Sequence, residues 1–332
     1  MNDLPGKDTQ ARIRECRNGI QLAVPVLKWC SYTLDFSARH DGDLPAFPGS
    51  AIRGAFGHAL KRLACVMRNR PCDGCPLEFN CLYTTIFETR SDPATEGGNA
   101  VRNIRPPHPF VLKVNFAAQR RFQKGDMLQV GIVLYGTAIK AYPFVLRAME
   151  EAGERGFGRS RLSFRLENIS QAGLRHDDWA SGKAYPVPGI QDPPQASGFS
   201  CHWNITTPLR LRSGGKPVDH RRLAPGDLAI PVLRRLMLLV QHYGNPDQLR
   251  IHPDMSRRTA LLRFTHCDLK WKRLQRYSSR QSATHSVSGL IGAISLDYSA
   301  VPEWGQILAW APVIHVGKAT SMGLGRVELG RS

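Results

Sequence analysis

The sequence predicts an α+β protein made of two similar halves, and three observations predict it. The chain has 332 residues, more than one small core needs, so two core-forming units are expected. Segments with strand and helix patterning follow one another as β, α, β, β, α, β, and that order occurs twice. Between the two runs, 173–198 carries four prolines, several Gly and Ser, and little periodic apolar pattern, as an interdomain linker would. The predicted organisation is a domain at 1–172, a linker at 173–198 and a domain at 199–332. The repeat lies in the order of elements, not in the residues.

In the first half, Ile20–Phe36 is rich in β-formers and reads as strand. Asp41–Gly49 is a Pro/Gly turn region, after which Ser50 is expected to cap a helix. That helix carries Ile52, Phe56, Ala59, Leu60 and Leu63 on one face. Beyond a cysteine-rich stretch and a loop at Ser91–Pro109, strands are expected at Phe110–Phe116 and Asp126–Tyr135. A helix over Ile139–Ala152, a turn at Gly153–Gly158 and a strand at Leu162–Ile169 complete the run. The second half repeats it. Trp203–Leu211 reads as strand, and Asp227–Tyr243 as a helix with Ile230, Leu233, Leu236, Met237 and Val240 in register. Strand is expected within Leu261–Tyr277 and at Gly289–Tyr298, then a short helix at Pro302–Trp310 and a last strand at Arg326–Leu329. The order is that of the ferredoxin-like unit. The predicted architecture is therefore tandem ferredoxin-like domains, with a glycine-rich loop at 317–325 and a four-cysteine insertion at 65–81.

Charge narrows the partner. Lys and Arg number 45 against 27 Asp and Glu, a net +18. A fold this basic repels itself until something anionic neutralises it, and nucleic acid is the commonest such partner. No basic helix with a bulky apolar face argues for a membrane surface. No apolar run reaches the roughly 18–20 residues of a spanning helix, and the polar N-terminus lacks a signal-peptide core, so a cytoplasmic location is expected. The bunched Cys65, Cys72, Cys75 and Cys81, spaced C-x6-C-x2-C-x5-C, point to metal rather than disulfides in that compartment. Four thiolates suit structural zinc; an iron–sulfur cluster is the alternative. Either would fasten the loop after the first helix without an open coordination site for catalysis.

The most informative segment is His315-Val-Gly-Lys-Ala-Thr-Ser-Met-Gly-Leu-Gly-Arg326. Gly317, Gly323 and Gly325 allow close backbone approach, and their amides with Lys318, Thr320, Ser321 and Arg326 are expected to cradle phosphate. It is not a Walker loop, since no Gly-Lys-Ser/Thr opens a helix. This loop, ending Gly323-Leu324-Gly325, resembles the glycine-rich loop of the RAMP superfamily of CRISPR proteins. Thr207–Leu211, Arg276–Gln281, Gly289–Gly292, Phe47–Gly54 and Gly153–Gly158 resemble one branch of it, the CRISPR repeat-RNA processing endoribonucleases. The resemblance covers most of the chain outside the linker and N-terminal tail. It implies RAMP/RRM-like tandem domains and a CRISPR repeat-RNA substrate. It also implies cleavage by 2′-OH attack to a 2′,3′-cyclic phosphate and a 5′-OH, chemistry that needs no metal; the enzyme expected here cuts repeat RNA and retains the crRNA product.

Such chemistry needs a base at the 2′-OH, an acid at the leaving 5′-oxygen, and cations facing the phosphate. His58 is the first candidate. Helical geometry sets it opposite the apolar stripe, beside Lys61 and Arg62, and the resembled family often carries a catalytic histidine on or near this helix. A solvated surface histidine fits the same pattern. His285, near Arg280 and Gln281, and His40, in the loop before the helix, are the alternatives; for each an ordinary loop histidine is the plainer reading. His315 suits a structural role on the apolar side of the loop, and Tyr277 a sheet core. Arg53, Arg276, Arg280 and Gln281 are expected RNA contacts, the arginines on phosphate and the glutamine on an exposed base edge. Two other readings share parts of the pattern. One is a non-catalytic RAMP-type subunit that binds crRNA within a CRISPR effector complex. The other, a zinc-dependent DNA-binding regulator, lacks any helix-turn-helix or finger-type Cys/His pairing.

Overall fold

The computed structural model describes residues 27–332 apart from 69, 90–105, 116–119, 172–173, 176–183, 214–215, 219, 247–250, 279–282 and 331–332. Of the first 26 residues it describes a short pair of strands, Arg14–Glu15 with Gln21–Leu22.

In the N-terminal half, strand β1 (Trp29–Ala38) is followed by helix α1 (Pro48–Ala64), β2 (Phe110–Val114), β3 (Met127–Tyr135), helix α2 (Tyr142–Arg155) and β4 (Phe164–Gln171). The strands lie in the order β2-β3-β1-β4, all antiparallel, with the short strand Leu174–Arg175 beyond β4. In the C-terminal half come β5 (Ser200–Leu209), helix α3 (Pro225–Tyr243), β6 (Arg263–Lys272), β7 (Gln275–Ser278), β8 (Ala283–Ser286) and β9 (Gly289–Asp297). Short helices α4 (Glu303–Leu308) and α5 (Ala311–Ile314) and strand β10 (Val327–Leu329) complete it. Its sheet runs β6-β9-β5-β10, while β7 and β8 form a separate hairpin. Numbered within each half, both sheets read 2-3-1-4, with the β-α-β-β-α-β element order of the ferredoxin-like unit. Among the described residues no helix is long and apolar enough to cross a membrane.

The residues explain the elements. In β1, Cys30, Tyr32, Leu34, Phe36 and Ala38 are buried, while the residues between them are only partly so, the period-2 pattern of a sheet with one face on a core. Helix α1 buries Ile52, Phe56, Ala59 and Leu60 as its spacing predicts, but Leu63, in the last turn, is exposed. It also begins earlier than expected. Pro48 occupies the first turn, where a fixed φ and a missing N–H cost nothing. Ser50 therefore lies inside the helix rather than at its cap. Within the expected strand Ile20–Phe36, Gln21–Leu22 belongs to the short N-terminal pair and the sheet strand β1 begins at Trp29. The helix expected from Ile139 starts as a 3-10 turn and becomes α-helical at Tyr142, with Pro143 in its first turn.

The two halves share a core. One apolar cluster lies between the N-terminal sheet and helices α1 and α2. The other face of that sheet contributes Val111, Val133 and Tyr135 to the C-terminal core of Trp203, Leu236, Trp304 and Trp310. Burying each such side chain is worth roughly 1.5–3 kcal/mol. Polar bonds fix the registry: the Tyr135 hydroxyl donates to the Val313 carbonyl (2.7 Å) and the Tyr243 hydroxyl to that of Pro107 (2.8 Å). Residues 184–197, within the expected linker, run along the N-terminal half. Pro186 accepts from the Tyr32 hydroxyl (3.0 Å), and the Gln191 amide donates to Trp29 (2.8 Å). This docking brings the start of α1 against the glycine-rich loop of the opposite half.

Candidate nucleic-acid interface

The junction is built on close approach. An added Cβ on Gly49 would stand 2.0 Å from the Met322 carbonyl oxygen, so α1 and the loop touch backbone to backbone. A small apolar cluster of Phe47, Val287 and Leu324 packs where α1, the hairpin end and the loop come together. The junction also opens a cleft of about 310 Å3 whose walls include Arg53, His108, Arg235, Gly317, Thr320 and Ser321.

Arg53, in the second turn of α1, crosses this junction. Its Nε donates to Ser321 Oγ (3.1 Å), and its Nη2 lies 2.8 Å from His108 Nε2. An arginine has only donors, so that histidine nitrogen is the acceptor and its ring proton sits on Nδ1. The guanidinium also lies 4.2 Å above the Phe87 ring, a cation–π contact. Phe87 belongs to a π-helical turn, Thr84–Glu88, and packs where Gly57 leaves room; a Cβ there would meet its ring at 2.3 Å. The cysteine-rich segment leads directly into this turn.

The glycine-rich loop is tightly wound. His315, Gly317, Ala319, Gly323 and Gly325 all have positive φ. A Cβ on Gly325 would come within 1.8 Å of the Val316 carbonyl oxygen. The expected phosphate cradle of backbone amides takes a different form. The amides of Lys318, Gly323 and Gly325 are engaged by the carbonyls of Arg210, Thr320 and Pro208. The Arg326 amide is held by Thr207 Oγ1, whose hydroxyl donates to Gly323. These glycines serve the loop's own packing, so side chains supply most of what faces the cleft.

The hairpin β7–β8 meets the same helix. Arg276 Nη1 donates to Ser50 Oγ (3.3 Å) at the first turn of α1, a turn with no acidic residue. His285 is the direct cross-strand partner of Arg276, and its Nε2 is enclosed without a hydrogen-bond partner. Arg210 lies near: its pKa is pulled down by burial and then by the like charges of Arg212 and Arg276. Positive charge crowded this way is relieved by an anion.

The structure thus gathers Arg53, Gly317, Thr320 and Ser321 around one cleft, with Lys318, Gly323, Gly325 and Arg326 on the same loop; Arg276, paired with His285, meets α1 at Ser50 instead. It does not gather the first choice of catalytic group. At about 1.5 Å of rise per residue, His58 sits about 12 Å further along α1 than Ser50. It is exposed there. Its neighbours are otherwise engaged: Arg62 pairs with Glu151 at 2.8 Å, and Lys61 lies over the Tyr83 ring. His40 is held by local backbone, Nδ1 against the Asp41 carbonyl and Nε2 accepting from the Ser163 amide. His315 is fully buried with both ring nitrogens unbonded. Burial, then the charges of Lys113, Arg235 and Arg326, hold its pKa well below the usual histidine range. Arg280 and Gln281 lie outside the described residues. His108 and Arg235, both on the cleft, carried no signal in the sequence, since only tertiary packing brings them there.

The cysteines do not form a ligand set. Among the described residues, which include all four, no three His, Cys, Asp or Glu side chains are grouped so as to hold a metal ion. Cys65 follows the last turn of α1, while Cys72 and Cys81 pack on the N-terminal core. As arranged, these residues do not fit the zinc or cluster expected from their spacing.

A family model described as an N-terminal domain matches residues 27–184. The model of the CRISPR-associated endoribonuclease Cas6 matches residues 204–327. Among solved structures, a Cas6 product complex aligns with a TM-score of 0.54 at 17% identity, over 92% of this chain and 100% of that one. Thermus thermophilus Cas6 aligns with a TM-score of 0.51 at 15% identity, over 92% and 99%. A partial Cas6-RT-Cas1–Cas2 complex gives 0.54 at 11%, over 94% of this chain and 47% of that one. At these identities the likeness is one of fold. No curated protein matches the chain in sequence.

Proposed function

We propose that this chain, a RAMP-type CRISPR-associated protein whose residues 204–327 form a Cas6-family domain, cuts CRISPR repeat RNA in the cleft between its two ferredoxin-like halves. The cleft is the observation that carries the reading: a hollow lined by Arg53 and Arg235 where α1, α3 and the glycine-rich loop meet, with the β7–β8 hairpin joined to the first turn of α1 through Arg276 and Ser50. RNA would enter as single strand or loop, since a protein reads bases only where they are unpaired. The proposed reaction is attack of a 2′-OH on the adjacent phosphorus, with departure of the 5′-oxygen, giving a 2′,3′-cyclic phosphate and a 5′-OH. Each proton transfer falls to a side chain, and no metal is assigned a role. Arg53 and Arg276 stand where they would face the phosphate. His285, cross-strand from Arg276, is the histidine best placed to exchange a proton. His58 with Lys61 and Arg62 is the competing set. The positive charge, +18 in all, favours retention of the cut RNA, and one solved neighbour is itself a product complex. We place this activity in the cytoplasm.

The test is cleavage of end-labelled repeat RNA by wild type, His285→Ala and His58→Ala, with RNA affinity measured in parallel. Loss of a general acid or base costs about 100-fold to 10,000-fold in rate. The reading expects that loss in His285→Ala at nearly unchanged affinity, and little change in His58→Ala. The opposite pattern moves the reaction to the outer face of α1. Tight binding with no cut by wild type replaces the nuclease with a crRNA-binding subunit.

A further inference from the structure

Arg235 has no role in the expectations above, yet its setting is unusual for an arginine. It projects from α3 to the cleft wall. Its Nε donates to the Ile314 carbonyl (2.7 Å), just before the glycine-rich loop. Its Nη2 makes no hydrogen bond of ordinary geometry; the Tyr135 hydroxyl is the neutral group that meets the guanidinium, by charge and by hydrogen bond. Among the described residues no carboxylate offsets it: burial weakens its charged form first, and the two tyrosines Tyr135 and Tyr243 favour the charge. Two more cations stand nearby. Lys113 is made less basic by burial and then by Arg326, and both press on His315 together with Arg235. Glu328, on Arg326 at 2.9 Å, is the carboxylate that meets this group. Guanidinium does not escape by losing its proton. A buried cation without a counter-charge is a poor structural device and a good anion receptor.

We propose that Arg235 is a phosphate-binding residue, and that the cleft seats one backbone phosphate of the bound RNA between Arg235 of the C-terminal half and Arg53 of the N-terminal half. Ser321 completes the seat. Its Oγ accepts from Arg53 Nε, which leaves its own proton to donate to a phosphate oxygen. One phosphate would thus be held by groups from both halves and would lock their junction. This rests on the reading of the protein as an RNA binder, but not on its being a nuclease.

The experiment uses the full chain and repeat RNA carrying 2′-O-methyl groups throughout, so that no cut intervenes. Affinity is measured across salt concentrations for wild type, Arg235→Gln and Arg235→Lys. It is then repeated along a series of RNAs with one methylphosphonate each, which removes one backbone charge at a time. The glutamine variant should lose roughly tenfold or more in affinity. Its slope of log affinity against log salt should be shallower by about 0.7. One methylphosphonate position should weaken wild type by a similar factor and leave the glutamine variant no weaker than before. The lysine variant should keep the wild-type salt slope, with a few-fold loss that vanishes at that same position; it decides the matter if the glutamine variant does not fold. Equal losses for variant and wild type at every position overturn the proposal, since Arg235 would then act through the fold alone. A wild type that binds this RNA tightly while never cutting native repeat RNA removes the nuclease reading and leaves the phosphate site. A wild type that binds no RNA removes both.

Discussion

Three glycines on helix α1 give a sharp test of how the junction is built, because one substitution should have three different effects. In an ordinary helix interior, Gly→Ala stabilises by about 1 kcal/mol through propensity. Gly54 has open space where its Cβ would go, so Gly54→Ala should gain about 0.5–1 kcal/mol. At Gly57 the new methyl would meet the Phe87 ring at 2.3 Å. The ring can rotate away, but it then leaves the Arg53 guanidinium, 4.2 Å above it. Overpacking of about 1–3 kcal/mol, with loss of a cation–π contact of about 0.5–2 kcal/mol, outweighs the propensity gain. At Gly49 the obstacle is the Met322 backbone oxygen at 2.0 Å, which no rotamer relieves. There α1 and the loop must separate, so Gly49→Ala should lower stability by about 1–3 kcal/mol and weaken RNA binding as well. Urea unfolding of the three variants, with RNA affinity beside it, reads the series. Equal stabilisation in all three would refute the backbone contact between α1 and the glycine-rich loop.

Other predictions follow from the same contacts. His315 has a depressed folded pKa, caused by burial and then by Lys113, Arg235 and Arg326, against an unfolded value near about 6.5. Its contribution is therefore complete above that pH. As pH falls below it, the unfolded chain takes a proton that the folded one refuses, and stability drops by up to about 1.4 kcal/mol per pH unit. His315→Gln, which removes the titrating ring, should flatten that dependence in unfolding at pH 7.5 and 5.0; an unchanged slope counts against it. Tyr135→Phe leaves the buried Val313 carbonyl without its 2.7 Å donor and should cost about 1–3 kcal/mol in urea unfolding, whereas a loss too small to measure would show the bond to be dispensable. Metal analysis of the purified protein should find less than one zinc or iron per chain, because the four thiols form no ligand set. One tightly held zinc, or absorbance near about 400 nm from a cluster, would show that the cysteine segment rearranges around metal.

Much of the fold was legible because it depends on local pattern. The alternation from Cys30 to Ala38 marks β1, and the spacing of Ile52, Phe56, Ala59 and Leu60 marks the buried face of α1. Boundaries drifted where Pro48 took the first turn in place of the expected Ser50 cap, and where a 3-10 turn preceded the helix that begins at Tyr142. The site was less legible. Residue types on the loop and on α1 pointed to phosphate chemistry, but partnership is a tertiary fact. Arg53 meets Ser321 across 268 positions and His108 across 55. His58 satisfied every local criterion, lying away from the apolar stripe beside two cations, yet it is exposed and does not line the cleft. Arg235 sits among the leucines of α3, where a sequence pattern shows only an ordinary helix. The loop glycines could be read as freedom for a ligand; in the fold much of that freedom serves the loop's own turns.

The most direct test of the central claim is a cleavage reaction in excess EDTA. It compares native repeat RNA with the same RNA bearing a single 2′-deoxy nucleotide at each position in turn. A single cut that persists in EDTA, leaves a 2′,3′-cyclic phosphate and disappears with one 2′-deoxy substitution is the predicted result. Cleavage abolished by EDTA and restored by a divalent cation, or a cut indifferent to every 2′-deoxy substitution, would contradict it.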